Sequence, residues 1–91
     1  MEIGCVVRSA AGHDKDVFFM VTHVENETGY VYIADGKSRK LEKPKRKNSK
    51  HVRITKTVLD APAIKTDKRL RDLLKPFNFN AEPGAADLKR G

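Results

Sequence analysis

Val17-Phe18-Phe19-Met20-Val21-Thr22-His23-Val24 and Tyr30-Val31-Tyr32-Ile33-Ala34, separated by the turn cluster Glu25-Asn26-Glu27-Thr28-Gly29, decide how the first half of this chain folds. Eight residues rich in β-branched and aromatic types suit a strand better than a helix. In the first run both alternating sets, Val17/Phe19/Val21 and Phe18/Met20/Val24, are apolar, so both faces are expected to be covered, as in a small closed barrel. The second run puts Tyr30 and Tyr32 on one face and Val31 and Ile33 on the other.

Upstream, Ile3, Cys5 and Val7 alternate with Gly4, Val6 and Arg8, and a polar stretch from Ser9 to Asp16 joins this strand to the next. Downstream, Asp35-Gly36 is a tight-hairpin signal, because both turn positions favour positive φ. Leu41 lies in the basic segment that follows, and His51 to Thr55 reads as a last strand with Val52 and Ile54 inward. Short strands joined by tight turns indicate a small barrel or sandwich.

The second half changes character. Val58 to Pro62 is expected to be a linker. Thr66-Asp67 offers an N-cap, and Leu70, Leu73 and Leu74 form a stripe at helical spacing. Pro76 is expected to stop that helix. A helix this short is marginal alone, so its leucines must dock on the barrel or a partner. Phe77 to Gly91, poor in apolar residues and containing Pro83-Gly84, reads as a flexible tail. The expected organisation is therefore a β domain over 1–57 with a basic loop at 37–50, a linker and short helix over 58–76, and a tail over 77–91.

The chain has 91 residues and a net charge of +7. It fits one small domain, and a large enclosed substrate pocket is not expected in one of this size. Nine of the nineteen basic residues lie between Lys37 and Arg53: Lys37, Arg39, Lys40, Lys43, Lys45, Arg46, Lys47, Lys50 and Arg53. Only Glu42 opposes them, so the segment carries +8 and the rest of the chain −1. One concentrated positive segment on a near-neutral body is the electrostatic footprint of a polyanion-binding protein. A run of like charges is also expected to be mobile until it meets a counter-surface, here over Lys43 to Lys50. With five to eight phosphate contacts, log K should fall with log salt with a slope of about −4 to −7.

Enzymatic chemistry is not expected. The single cysteine, Cys5, reads as a small core hydrophobe; it allows no internal disulfide and no structural zinc site, and His13, His23 and His51 are widely separated. Asp14 and Asp16 form a D-x-D pair, but Phe18 stands where a calcium loop needs its third ligand. P-loop and nucleophile-elbow motifs are missing. No catalytic residue, metal or cofactor is assigned, and no small-molecule substrate. The N-terminus reads as a strand rather than a signal peptide, and no apolar run is long enough for a membrane, so a cytoplasmic protein is expected. Asn26-Glu27-Thr28 matches a glycosylation sequon without a secretory signal. Lys43-Pro44-Lys45-Arg46-Lys47 also matches a nuclear-import pattern, of a kind common by chance.

The stretch from Gly4 to Val21, Gly-Cys-Val-Val-Arg-Ser-Ala-Ala-Gly-His-Asp-Lys-Asp-Val-Phe-Phe-Met-Val, resembles a KOW motif, the strand, glycine-bearing loop and strand of an SH3-like barrel. The continuation through Ile33-Ala34-Asp35-Gly36-Lys37 and Lys43-Pro44-Lys45-Arg46-Lys47 to Lys50-His51 is similar to small bacterial KOW-domain RNA-binding proteins, which look like archaeal and eukaryotic large-subunit ribosomal proteins. The resemblance covers roughly residues 2 to 55. It implies a mainly β fold, a small SH3-like (KOW) barrel followed by a short C-terminal helix and flexible tail. It also implies binding to structured RNA, ribosomal RNA of the large subunit, with ribosomal proteins as possible neighbours. One departure is Asp16, where KOW motifs usually carry glycine. Aspartate tolerates positive φ better than most residues, but its charge beside Lys15 would weaken a phosphate contact there.

On this reading RNA meets Lys15, Lys37, Arg39, Lys40, Lys43, Lys45, Arg46, Lys47, Lys50, His51 and Arg53, with Gly12, His13 and Asp14 forming the KOW loop. Arginines add bidentate contacts that lysine cannot make. Phe18 and Phe19 are expected in the core, while the roles of Tyr30 and Tyr32 stay open between core packing and base stacking. Charge alone does not separate RNA from DNA; the resemblance favours RNA. The rival reading is an SH3-like interaction module that binds an acidic protein through the same segment or seats its leucine stripe in a partner groove.

Overall fold

Five antiparallel strands carry the fold in the computed structural model, which describes residues 1–81. They are β1 (Cys5–Ser9), β2 (Phe18–Glu25), β3 (Tyr30–Ala34), β4 (Lys45–Asn48) and β5 (Val52–Val58). They form one sheet in the order β4-β3-β2-β1-β5. The sheet curls like a barrel but does not close, because β4 and β5 remain its two edges. A 3-10 turn at Ser49–His51 joins them, and a second, at Ala61–Ala63, leads to the helix α1 (Asp67–Ala81).

The sheet has two apolar faces, as both alternating sets of β2 suggest. The inner core holds Cys5, Val7, Phe19, Val21, Val31, Ile33 and Val52. On the outer face Val6, Met20 and Ala34 pack against Ile64, Leu70 and Leu74. The helix thus docks on this chain's own sheet. Burying each leucine contributes about 1.5–3 kcal/mol before entropy is counted.

One irregularity changes the expected assignment. The β2–β3 register shifts between Val21 and His23. A bulge reverses which face the following residues occupy. Val24, expected beside Phe18 and Met20, instead packs on the inner core. His23 and Glu25 move to the outer face, opposite Tyr32 and Tyr30.

Four further expectations are corrected. Ile54 lies in register with Val7 but is 60% exposed, because β4 ends at Asn48 and leaves that stretch of β5 uncovered. Asp35-Gly36 is not a two-residue hairpin, since β4 begins only at Lys45; Gly36 alone has positive φ. The segment expected to be a mobile basic loop contains β4, hydrogen-bonded to β3 from Tyr30↔Asn48 to Ile33↔Lys45. Pro76 does not end α1, which runs on to Ala81. Past Pro76, Phe77 stacks at a tilt on Phe18 with ring centroids 5.5 Å apart. Asn78 accepts the Phe18 N–H at 2.7 Å and donates to its carbonyl at 3.3 Å. These contacts hold the last turns despite the donor that proline removes. Residues 77–81 therefore belong to the helix, and the rest of the expected flexible tail, 82–91, lies outside the described residues.

Candidate nucleic-acid interface

The basic segment does not form one surface. Parity along β4 divides it. Lys45 and Lys47 stand opposite Ile33 and Val31, on the inner face, while Arg46 stands opposite Tyr32 on the outer face.

The two inward lysines are used internally. Lys47 Nζ donates to Asp14 Oδ1 at 3.1 Å and to the Ala11 carbonyl at 2.8 Å, and Lys45 Nζ reaches Asp14 Oδ2 at 3.2 Å. Ser9 Oγ adds a fourth contact, at 3.2 Å from Asp14 Oδ1. Burial pushes the Asp14 carboxyl up, but the ammonium groups of Lys47 and Lys45 together bring it below the ordinary aspartate value. Lys45 and Lys47, expected at the RNA surface, instead join Asp14 of the expected KOW loop and tie edge strand β4 to the β1–β2 loop.

The remaining cations are presented to solvent from three places. In the β1–β2 loop, His13 and Lys15 are exposed and Gly12 has φ 88°. Asp16 occupies the left-handed region with φ 71°, and its carboxylate meets Arg8 Nη1 at 2.9 Å. In the β3–β4 loop, Lys37, Arg39, Lys40 and Lys43 are exposed. The buried Asp35 fixes that loop by accepting the N–H groups of Lys37 at 2.9 Å and Arg39 at 2.8 Å. The same loop is fastened to α1, where Asp67 Oδ1 accepts the Leu41 N–H at 2.8 Å and Arg71 donates to the Gly36 carbonyl at 2.9 Å. Lys50, His51 and Arg53 are exposed on the 3-10 turn and the start of β5. Ala10 N–H donates to the His51 carbonyl at 2.7 Å, which sets this group beside the β1–β2 loop. The β3–β4 loop lies at the opposite end of the β3–β4 ladder, because the chain leaves β4 for the 3-10 turn next to Gly29, where Ser49 N–H meets the Gly29 carbonyl at 2.8 Å. Among the described residues, Lys15, Lys37, Arg39, Lys40, Lys43, Lys50 and Arg53 form no ion pair.

Helix α1 covers only the part of the outer sheet face around Val6, Met20 and Ala34. The uncovered part carries a cluster that charge counting does not find. His23 meets Tyr32 edge-on with ring centroids 5.7 Å apart. Arg46 lies over the Tyr30 ring, 3.9 Å from its centroid, and donates two hydrogen bonds to Glu25, each 2.9 Å. Pro44 flanks an open groove beside His23, Glu25 and Tyr32. The Arg46 guanidinium, helped by the hydroxyls of Thr28 and Tyr32, holds the Glu25 carboxyl down to about 2. Glu25 in turn raises the Arg46 and Tyr32 values. The i, i+2 spacing of Tyr30 and Tyr32 is the one sequence signal that pointed here. The bulge that turns His23 and Glu25 outward has no such signal.

Among the described residues no group of three histidine, cysteine or carboxylate side chains is assembled that could hold a metal. No helix there is long and apolar enough to cross a membrane. No family model matches the sequence, and a search of curated proteins finds no match to it.

Proposed function

We propose that the chain is a non-enzymatic, cytoplasmic RNA-binding protein of the KOW-type, SH3-like class, acting on ribosomal RNA of the large subunit with ribosomal proteins as neighbours. The observation that carries this reading is the partition of its cations. Asp14 and Glu25 absorb Lys45, Lys47 and Arg46, while Lys15 in the β1–β2 loop, Lys37, Arg39, Lys40 and Lys43 in the β3–β4 loop, and Lys50 and Arg53 beside the 3-10 turn are exposed and in no ion pair among the described residues. A domain that needed charge only for solubility has no reason to hold so many cations on two ordered loops and one turn. Cations carried on an ordered backbone suit a rigid polyanion, because little backbone freedom is lost on binding and counterion release supplies the driving force. The barrel-like sheet and glycine-bearing β1–β2 loop are the form that the KOW resemblance implies.

Sedimentation of lysate through sucrose gradients at low and moderately high salt tests the reading. Co-migration with large-subunit particles, weakened by salt and by charge reversal at Lys40, Lys43, Lys50 and Arg53, supports it. Sedimentation only at the top of the gradient at low salt removes the ribosome from it, and crosslinking in cells then separates another RNA from an acidic protein partner.

A further inference from the structure

We propose that the uncovered outer sheet face, built from His23, Tyr30, Tyr32 and Arg46 beside Pro44, is a stacking platform for unpaired nucleotides of RNA. This rests on the RNA-binding reading and extends it from phosphate contact to base contact.

Three observations converge on that occupant. First, the rings of Tyr30 and Tyr32 are only partly buried and His23 is exposed, in a fold that buries Phe19 completely. Aromatic residues on a sheet face, spaced two apart on one strand and opposite another ring on its neighbour, offer flat apolar surfaces to successive bases. Second, the rings are held in place. Tyr32 is braced edge-on by His23, and Tyr30 lies under the planar Arg46 guanidinium, which Glu25 anchors through two hydrogen bonds. Third, the surroundings have the charge of a nucleic-acid site. Exposed, unpaired Lys43 immediately precedes Pro44 at the groove. Glu25 is the one carboxylate in the cluster, and it pairs with Arg46, so the two together add no net charge. Bases in a continuous A-form helix are stacked on each other and their faces are closed to protein. The platform therefore selects loops, bulges and single strands.

The chain supplies its own reporter. Tyr30 and Tyr32 are its only tyrosines and it has no tryptophan, so intrinsic tyrosine emission reads this face alone. The full-length protein is titrated with a single-stranded oligouridylate of twelve nucleotides and with an RNA duplex of twelve base pairs, following both tyrosine emission and the anisotropy of labelled RNA. The single strand is expected to quench the emission, and the duplex to bind through the cations without quenching. Tyr32→Ala is expected to weaken single-strand binding roughly 5- to 100-fold, the range for loss of one stacked base, while leaving duplex binding unchanged. If Tyr32→Ala does not fold, Tyr32→Leu, which keeps an apolar side chain without the ring, decides the matter: weakened single-strand binding, with the affinity retained in Tyr32→Phe, supports the platform, and full affinity in Tyr32→Leu overturns it. Single-strand binding with unchanged tyrosine emission and an unaffected Tyr32→Ala variant overturns the platform and leaves RNA binding standing. Binding of neither RNA at low salt overturns both.

Discussion

Lys47 Nζ sits 3.1 Å from Asp14 Oδ1 with the two side chains 8% and 13% exposed, so the most basic stretch of the chain contributes its central lysine to the interior. Once an ion pair is this enclosed, losing one partner is costly, since the other charge is left in a poorly solvated place.

Asp14→Asn is therefore expected to destabilise the fold by about 2–4 kcal/mol, discounted slightly from the fully buried case. In urea the unfolding midpoint should drop with an unchanged slope. Lys47→Ala should behave similarly, because Asp14 keeps Lys45 but the Ala11 carbonyl loses its donor. Acid should act in the same direction. The folded-state value of Asp14 lies below its ordinary 3.8, so its contribution is complete above that value and is lost as pH falls below it. Asp14→Asn should remove that part of the acid sensitivity, and an unchanged stability profile below pH 4 would show that the pair does not act on folding.

RNA affinity should respond to a different set of lysines. Lys40→Glu, Lys43→Glu, Lys50→Glu and Arg53→Glu each alter an exposed residue outside any ion pair among the described residues. Each is expected to leave the unfolding midpoint nearly unchanged and to make the plot of log K against log salt shallower by about 0.7–0.9 per lost contact. Lys45→Glu should instead act chiefly on stability, by placing a carboxylate against Asp14. Equal loss of RNA affinity per residue across all five positions, with equal stability, would contradict the partition between inner and outer lysines.

That partition shows what the sequence could and could not disclose. Strand positions were legible because β-branched and aromatic runs broken by Gly29 and Gly36 have few alternatives to a sheet. Asp16 was legible as a site of positive φ because the KOW resemblance places a glycine there. The direction of Lys45 and Lys47 was not, since it depends on Asp14, more than thirty residues away, and a charge run reads the same whether it faces solvent or a buried carboxylate. The bulge at Thr22 was equally silent, and it alone decides that His23, rather than Val24, joins the tyrosines. Pro76 misled because local rules rank proline as a stop, while Phe77 and Asn78 supply contacts with Phe18 that outweigh the lost backbone hydrogen bond.

Those contacts make the end of α1 a structural part of the domain. Asn78→Ala removes the acceptor of the Phe18 N–H and the donor to its carbonyl at the first residue of β2. The expected cost is about 1–3 kcal/mol, because water reaches this half-buried backbone only partly. Gly36→Ala should weaken the other attachment of the helix. Its φ is 78°, and a Cβ there would collide with the Asp67 carbonyl oxygen, so the β3–β4 loop must shift away from α1. Hydrogen exchange should then show faster exchange at Leu41 and along α1 with β1 and β2 still protected. Uniform loss of protection across the sheet would mean that helix and sheet unfold as one unit.

The ion pair of Glu25 with Arg46 sets the final expectation, because it governs how much charge the aromatic face offers. Glu25→Gln keeps the shape of the side chain and one acceptor but removes the carboxylate that holds the guanidinium with two 2.9 Å bonds. Arg46 then becomes available to a phosphate, and RNA affinity at low salt should rise while the salt slope steepens by about 0.7–0.9, the increment of one further contact. Solvent screens an exposed pair, so the unfolding midpoint should hardly move. Mild acid cannot mimic this variant. Glu25 is held down to about 2, so its charge, and with it the Arg46 contact, persists from above 4.5 until the pH approaches that value. Affinity measured at pH 5 should accordingly match that of the unmodified protein at pH 7 at this site. A Glu25→Gln variant whose RNA affinity falls would mean that Glu25 orders Arg46 for binding rather than withholding it.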